Sequence, residues 1–261
     1  MLFRHHLPTQ VRGKPSVVTW GNFDGMHLGH QFILKSMKKL AIKKRSQMVV
    51  ILFYPPPKVF FSRDASTQLM SIGNKYLLLK SLGVDYVLCL RFNRALVSMS
   101  ADDFVHHYAV KELNCCDLFL GEDARFGADR MGSAKKLMKE HWPFDIHVIR
   151  DQLVENERVS STKVRQLMKE GNLAACRNLL GLSAFLSVRV LAVTIKGEWV
   201  ARIKGQMPSL EGRAVEVVWD GGGITSKIIR QSSLVGSIGY QVYLSPIDTN
   251  VDLPARIRVY W

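Results

Sequence analysis

Along the first 151 residues, apolar and polar positions switch repeatedly between two periods. Five short runs are almost wholly apolar: "SVVTW" (16–20), "QMVVILFY" (47–54), "VDYVLCLRF" (84–92), "CDLFLG" (116–121) and "FDIHVIRD" (144–151). Their length and their content of Val, Ile, Phe and Tyr predict buried β-strands. Between them the period lengthens to that of a helix. In residues 29–45, Ile33, Met37, Leu40 and Ala41 recur at helical spacing while lysines fill the other face. "SIGNKYLLLKSLG" predicts a helix stopped by Gly83, which suits the left-handed backbone just past a helix end. "SADDFVHHYAVKEL" predicts a helix capped by Ser100, with Asp103 placed for the reciprocal bond. "SAKKLMKEHW" predicts a shorter one. Strands alternating with helices imply an α/β fold with a parallel sheet covered on both faces.

After Leu180 the grammar changes. "LSVRVLAVTIKGEWVARIKGQ", "RAVEVVWDGGGITSKIIRQ" and "SIGYQVYLSPIDTNVDLPARIRVYW" alternate at period two and are broken by Gly, Pro and Asp. This predicts a small all-β domain, barrel-like. The expected organisation is an α/β domain over residues 1–182 and a β domain over residues 183–261.

Composition changes little in that picture. With 261 residues, 47% hydrophobic and 22% charged, the chain is that of a soluble globular protein. No apolar run approaches the ~18 residues of a membrane span. The basic start, "MLFRHHLPTQVRGKP", has no apolar stretch behind it and does not read as a secretory signal. Cys89, Cys115, Cys116 and Cys176 show no C-x-x-C spacing, which suits reduced residues in the cytoplasm better than disulfides or zinc. The net charge of +14 raises nucleic acid as a partner. Its one dense block, "KSMKKLAIKKR", falls on the solvated face of a single helix, so nucleic acid is not favoured. A positive field suits polyphosphate substrates equally. Oligomeric state is left open.

Candidate chemistry concentrates in "WGNFDGMHLGH" (20–30), where the first strand gives way to the first helix. Gly21 and Gly25 allow a tight turn, and the helix start offers N–H groups and positive dipole potential to an anion. His27 and His30, three apart, project on the same side of that first turn. Gly29 removes a side chain between them and would let a phosphate approach the backbone. Together these residues describe a triphosphate cradle. Zinc would need a third ligand that no nearby residue supplies, because His5–His6 and His106–His107 are adjacent pairs that cannot face one site. Protein metal ligands are therefore unassigned. "RVSSTKVRQL" (158–167) reads as a second anion site: small hydroxyls at a helix start, with Arg165 one turn on and able to fork onto phosphate oxygens.

"GNFDGMHLGH" resembles the signature of the H-x-G-H nucleotidyltransferases, and more narrowly of the bacterial bifunctional riboflavin kinase/FAD synthetase family. "RVSSTKVRQLMKEGNLAACRNLLG" (158–181) is similar to that family's I-S-S-T-x-V-R segment, with Val159 for the isoleucine. "GEDARFGADRMG" (121–132) resembles its G-x-D-F-R-F-G-x-x-R-x-G, with Ala124 in place of the first phenylalanine. "LFYPPPKVFF" (52–61) matches its F-x-P-x-P stretch. The resemblance covers about residues 14 to 182.

It implies a Rossmann-like nucleotidyltransferase domain that transfers AMP from MgATP to FMN, giving FAD and pyrophosphate. No protein nucleophile is required, since such catalysis is mostly positioning and charge neutralisation. His27 and His30 would then serve the phosphates in transfer, while Ser161, Thr162 and Arg165 serve the departing pyrophosphate beside Ser160. Gly21, Asn22, Asp24 and Gly29 would complete the ATP cradle. Asp123 and Arg125 carry over as substrate-site residues. Phe60 or Phe61 could pack on the isoalloxazine, although an apolar pair beside a strand is more often core.

The family's kinase module carries G-x-P-T-x-N, and no such motif follows Ala184. The region is read as a remnant or replacement of the kinase barrel, without kinase activity. Rival readings are an adenylyltransferase for another phosphorylated acceptor, such as nicotinamide mononucleotide or phosphopantetheine, and a non-catalytic paralogue binding RNA or protein. A class I aminoacyl-tRNA synthetase would need a K-M-S-K-S segment that this chain lacks.

Overall fold

The computed structural model describes residues 2–4, 13–63, 68–154 and 157–181, together with the C-terminal strands given below. Two compact units emerge, one of residues 1–64 with 76–159 and one of residues 65–75 with 160–261.

The first unit is built on six parallel strands: β1 (Leu2–Arg4), β2 (Ser16–Trp20), β3 (Gln47–Tyr54), β4 (Tyr86–Arg91), β5 (Cys115–Gly121) and β8 (Asp145–Ile149). Their order is β1-β4-β3-β2-β5-β8, and every neighbouring pair is parallel. The five expected strands are all present. The sixth, β1, has three residues and no apolar run to announce it. Val17, Val18 and the run Met48 to Leu52 are buried, as a parallel sheet covered on both faces requires. From β2 the chain builds outward through β3 and β4, then returns to the other side of β2 with β5. The direction of winding reverses at β2, and in sheets of this kind ligands bind at the carboxyl end of that switch point.

Helix α1 (Leu28–Lys44) packs on the sheet through Gln31, Leu34, Met37 and Ala41. The expected stripe was Ile33, Met37, Leu40 and Ala41; Ile33 and Leu40 are only half-buried. The helix is rotated because its start is fixed by the turn before it rather than by its own apolar stripe. Short helices follow as α2 (Pro57–Ser62), α3 (Ile72–Ser81), α4 (Arg94–Val97), α5 (Ala101–Phe104) and α6 (Ala134–Leu137). α3 ends as expected, with Gly83 at φ 78 and the Val84 N–H returning to the Leu79 carbonyl at 3.0 Å. Ser100 caps α5, accepting from the Asp103 N–H at 3.0 Å and donating to the Asp103 carboxylate at 2.7 Å. That helix then widens to π-helical spacing over Val105–Glu112. A two-stranded ribbon, β6 (Arg125–Phe126) with β7 (Gly132–Ser133), and a second, β9 (Leu153–Val154) with β10 (Glu157–Arg158), complete the unit.

Where α1 ends, it is stapled to the amino ends of β5 and β8. Asp117 has no exposed surface, and the Lys44 Nζ donates to both of its oxygens at 2.7 Å. His147 Nε2 lies 2.8 Å from the same carboxylate. Burial alone would push the Asp117 carboxyl up, but the hydrogen bonds from Lys44, His147 and Cys116 outweigh it and hold it below the usual range.

In the second unit α7 (Ser161–Lys169) and α8 (Leu173–Leu180) pack through Val164, Leu167, Leu173, Cys176 and Leu179. Gly171, at φ 71, turns the chain between them, and the Asn172 side chain caps α8 at the Ala175 N–H, 3.2 Å. Six antiparallel strands follow: β11 (Phe185–Val193), β12 (Trp199–Ile203), β13 (Ala214–Trp219), β14 (Gly222–Ser233), β15 (Tyr240–Leu244) and β16 (Arg256–Tyr260). They close in the order β11-β12-β15-β14-β13-β16, with Ile228 and Leu244 buried. The expected domain boundary at 182/183 and the stretch "QMPSLEG" lie outside the described residues.

Candidate active site

The turn from β2 into α1 is held in an unusual backbone. Phe23 (φ 47), Gly25 (φ 75) and Met26 (φ 46) are all left-handed. Only glycine adopts that region freely; for a large side chain it is a genuine outlier. Both Phe23 and Met26 are nonetheless buried. The turn is pinned by the Gly21 N–H to the Ile51 carbonyl at 3.2 Å and the Met26 N–H to the Phe23 carbonyl at 3.3 Å. The buried Gln31 amide grips the Met26 carbonyl at 2.8 Å. Helix α1 then begins with His27 at its N-cap, and no side chain caps it. A 17-residue helix thus presents its positive end at the carboxyl edge of the sheet.

His27 and His30 come together there as expected. Their rings stack with centroids 3.8 Å apart and planes 23° from parallel. His27 is only 8% exposed, and its Nδ1 has no hydrogen-bond partner among the described residues. Burial drives its pKa down to about 4 against the pull of Asp24 and Asp123, with Arg158 adding to the fall. His27 is therefore a neutral imidazole at physiological pH. In that form it carries one N–H donor and one acceptor nitrogen. Gly29 serves this arrangement directly: a Cβ there would lie 3.3 Å from both Cε1 and Nδ1 of His27. Gly21 is explained similarly, since its Cβ would lie 3.3 Å from the Phe23 ring. Both glycines make room for a ring rather than for a turn.

Asn22 is half-buried and Asp24 is buried within the same turn. Asp123, just past β5, is bound by the Arg158 guanidinium, which also donates to Asp151 at 2.6 Å. Asp123 thus belongs to an ion-pair network near His27. Arg125 is exposed on β6, and its guanidinium donates to the Ala124 carbonyl at 2.8 Å. The glycines of this loop are close-approach positions: a Cβ at Gly127 would meet the Ala101 backbone at 2.6 Å, and one at Gly132 the Ala101 side chain at 2.7 Å. Phe60 and Phe61, on α2, form an edge-to-face cluster with Phe92, centroids 5.3 and 6.0 Å away. Phe61 is 66% exposed, an unusual state for an aromatic inside a cluster of rings and one that suits a flat ligand face.

In the second unit, Ser160 is the cap of α7 and accepts from the Lys163 N–H at 3.2 Å. Ser161 and Thr162 occupy the first helical turn, and Arg165 follows on the same helix, half-buried. Sequence reasoning missed Phe23, Gln31, Asp151 and Arg158. For Phe23 and Gln31 no signal existed, since each acts through a backbone conformation or a contact that spacing does not encode. Arg158 is the first residue of the stretch that carries the second motif and could have been assigned with it.

A family model described as FAD synthetase matches residues 9–163. The chain is 37% identical over 189 residues to a bifunctional riboflavin kinase/FMN adenylyltransferase of Escherichia coli (strain K12), covering 71% of this chain and 60% of that protein. It is 34% identical over 189 residues to the protein of the same name from Pseudomonas fluorescens, covering 72% and 60%. The chain thus spans about three-fifths of the length of these relatives. In fold it is similar to a crystal structure titled macrolide-efflux protein, from Streptococcus pneumoniae. The TM-score is 0.76 at 23% identity, covering 95% of this chain and 84% of that one.

Proposed function

This chain belongs to the FAD synthetase family, and from that membership we propose that it transfers the adenylyl group of ATP to FMN. A phosphate oxygen of FMN attacks the α-phosphorus, the bond to the β-phosphate oxygen breaks, and FAD and pyrophosphate leave. The observation that carries this reading is the uncapped start of α1, where a neutral, buried His27 with an unpartnered Nδ1 stacks on His30. An unpartnered buried nitrogen and an uncapped helix start are costly in a resting protein, and an anion at the helix end offsets that cost.

His27 and His30 hold the phosphates in transfer, and their hydrogen bonds strengthen as charge moves onto the bridging oxygen. Gly29 leaves room for the His27 ring and Gly21 for the Phe23 ring, while Asn22 and Asp24 shape the turn. Asp24, the carboxylate of this turn, would be the residue to hold a magnesium ion brought with ATP, and the ion would supply neutralisation of phosphate charge. Ser160, Ser161, Thr162 and Arg165 serve the pyrophosphate. Phe60 and Phe61 offer a face to the flavin, and Asp123 acts through Arg158. Residues 1–182 form the adenylyltransferase module. Residues 183–261 form a barrel-like β domain without riboflavin kinase activity, because G-x-P-T-x-N is missing after Ala184. Four free thiols fit a cytoplasmic enzyme, and no helix among the described residues is long and apolar enough to cross a membrane.

The test is pyrophosphate release from the purified chain with MgATP, run with FMN, nicotinamide mononucleotide or phosphopantetheine as acceptor. Release with FMN, and FAD as product, is expected. Release with another acceptor alone would leave the phosphate cradle standing and remove the flavin. Riboflavin with MgATP should give no FMN.

A further inference from the structure

Three rings lie in succession at the start of α1, and two glycines leave room for them. Phe23 is 3% exposed, and its ring lies 4.9 Å from that of His30 at a tilt of 45°. The ring also lies close to Gly21, whose missing side chain leaves room for it: a Cβ there would lie 3.3 Å from Cε2 and 3.5 Å from Cδ2. His30 stacks in turn on His27 at 3.8 Å. A second glycine leaves room at His27, because a Cβ at Gly29 would press on that ring at 3.3 Å. Phe23, His30 and His27 are thus in contact in that order, so the position of the Phe23 ring bears on both imidazoles.

A large residue in left-handed backbone costs of order 1 kcal/mol or more and persists only where its surroundings over-determine it. If the position needed only an apolar plug, any conformation that buried Leu or Met would serve. The left-handed backbone at Phe23 (φ 47, ψ 39) instead brings a flat ring against His30. His30 is half-buried on the first turn of a helix, where an imidazole not confined by its neighbours could swing between rotamers.

Resting on the assignment of His30 to the phosphates in transfer, we propose that Phe23 is a positioning residue that sets the His30 imidazole, and through it the stacked pair, for adenylyl transfer. Phe23 touches no reacting atom. Its contribution is to keep a phosphate donor within the narrow geometric range that catalysis by orientation demands.

The experiment is a double-mutant cycle on FAD formation from MgATP and FMN, using Phe23→Leu, His30→Ala and the pair. His30→Ala alone should slow kcat by about 100-fold, and Phe23→Leu alone by about 10-fold. In the His30→Ala background, Phe23→Leu should cost almost nothing more, because the group it positions is gone. Gly21→Ala crowds the same ring while keeping the phenyl group, and covers the case in which Phe23→Leu fails to fold. It should slow kcat less than Phe23→Leu, and this effect too should vanish in the His30→Ala background. If the losses simply multiply in either pair, the proposal is overturned while the role of His30 stands. If His30→Ala forms FAD at the wild-type rate, both the assignment of His30 and the proposal fall.

Discussion

The two ends of α1 use similar backbone devices to opposite purposes. At its C-terminus the helix is closed. Arg45 takes the left-handed cap conformation at φ 53, its N–H returns to the Ile42 carbonyl at 3.2 Å, and the Ser46 N–H returns to the Ala41 carbonyl at 2.9 Å. Lys44 then fastens this end to the buried Asp117. At its N-terminus Phe23 and Met26 take the same left-handed conformation, yet no side chain caps the helix and a buried His27 nitrogen has no partner among the described residues. One end satisfies its polar groups through backbone bonds, and the other leaves a buried His27 nitrogen without a partner among the described residues. The left-handed backbone that ends the helix at one terminus accompanies two stacked imidazoles at the other.

The largest effect should come from breaking the open end. Replacing His30 by Ala is expected to lower turnover by about 100-fold or more, the loss associated with one transition-state donor. His27→Ala should cost at least as much. His27 does not face solvent, as a residue at a helix start ordinarily would; it is buried, so its variant also loses packing, and His30→Ala isolates the chemistry better. Steady-state FAD formation measures both. Near-normal turnover in either variant would place that histidine outside the mechanism.

Breaking the closed end should do the reverse. Asp117→Ala removes hydrogen bonds to Lys44 and His147 and is expected to destabilise the fold by about 2 kcal/mol, read as a shift in the urea midpoint. Turnover per folded molecule should stay at the wild-type level. A loss of kcat without a loss of stability would mean that the staple communicates with the cradle along α1.

The sheet and the ends of two other helices were largely legible in the sequence. Apolar runs gave β2, β3 and β5 to within a residue because buried parallel strands leave few other patterns. Ser100 and Gly83 announced the ends of their helices by residue type. The open end was legible only in its composition. H-x-G-H named the two imidazoles, but not that they stack, that His27 is neutral, or that Gly21 and Gly29 are there for rings. Those facts depend on the φ angles of Phe23 and Met26, which residue types alone argue against. Asp117 was hidden for a related reason: a charge inside the strand "CDLFLG" reads as an edge position until its partners, 73 residues before and 30 after, are in place.

A third and smaller effect concerns pH. The His27 pKa lies near 4 in the folded chain and about 6.5 unfolded. Its folded value is depressed, so the unfolded state binds the proton first as pH falls. His27 therefore withdraws stability below about pH 6.5, and the withdrawal is complete only near pH 4. Between pH 7 and 5.5 the loss should be about 1 kcal/mol. Chemical denaturation across that range should show the slope in the wild-type protein and a flatter one in His27→Ala. Equal slopes would mean that the imidazole is not held neutral at the open end.

The smallest expected effect tests whether the left-handed residues at the two ends differ as described. Arg45 is exposed, and its role as a cap depends on backbone conformation alone. Glycine adopts that conformation without the Cβ penalty, although it loses more entropy on folding. Arg45→Gly should therefore be neutral or stabilising by about 0.5 kcal/mol, with FAD formation unchanged. Met26→Gly relieves the same backbone strain at the open end but deletes a fully buried side chain, and it should lose stability and slow turnover together. Thermal melts and kcat measured on the two variants decide the matter. If Met26→Gly behaves like Arg45→Gly, the left-handed turn before α1 is an ordinary helix boundary and its buried side chains are not what holds the histidines in place.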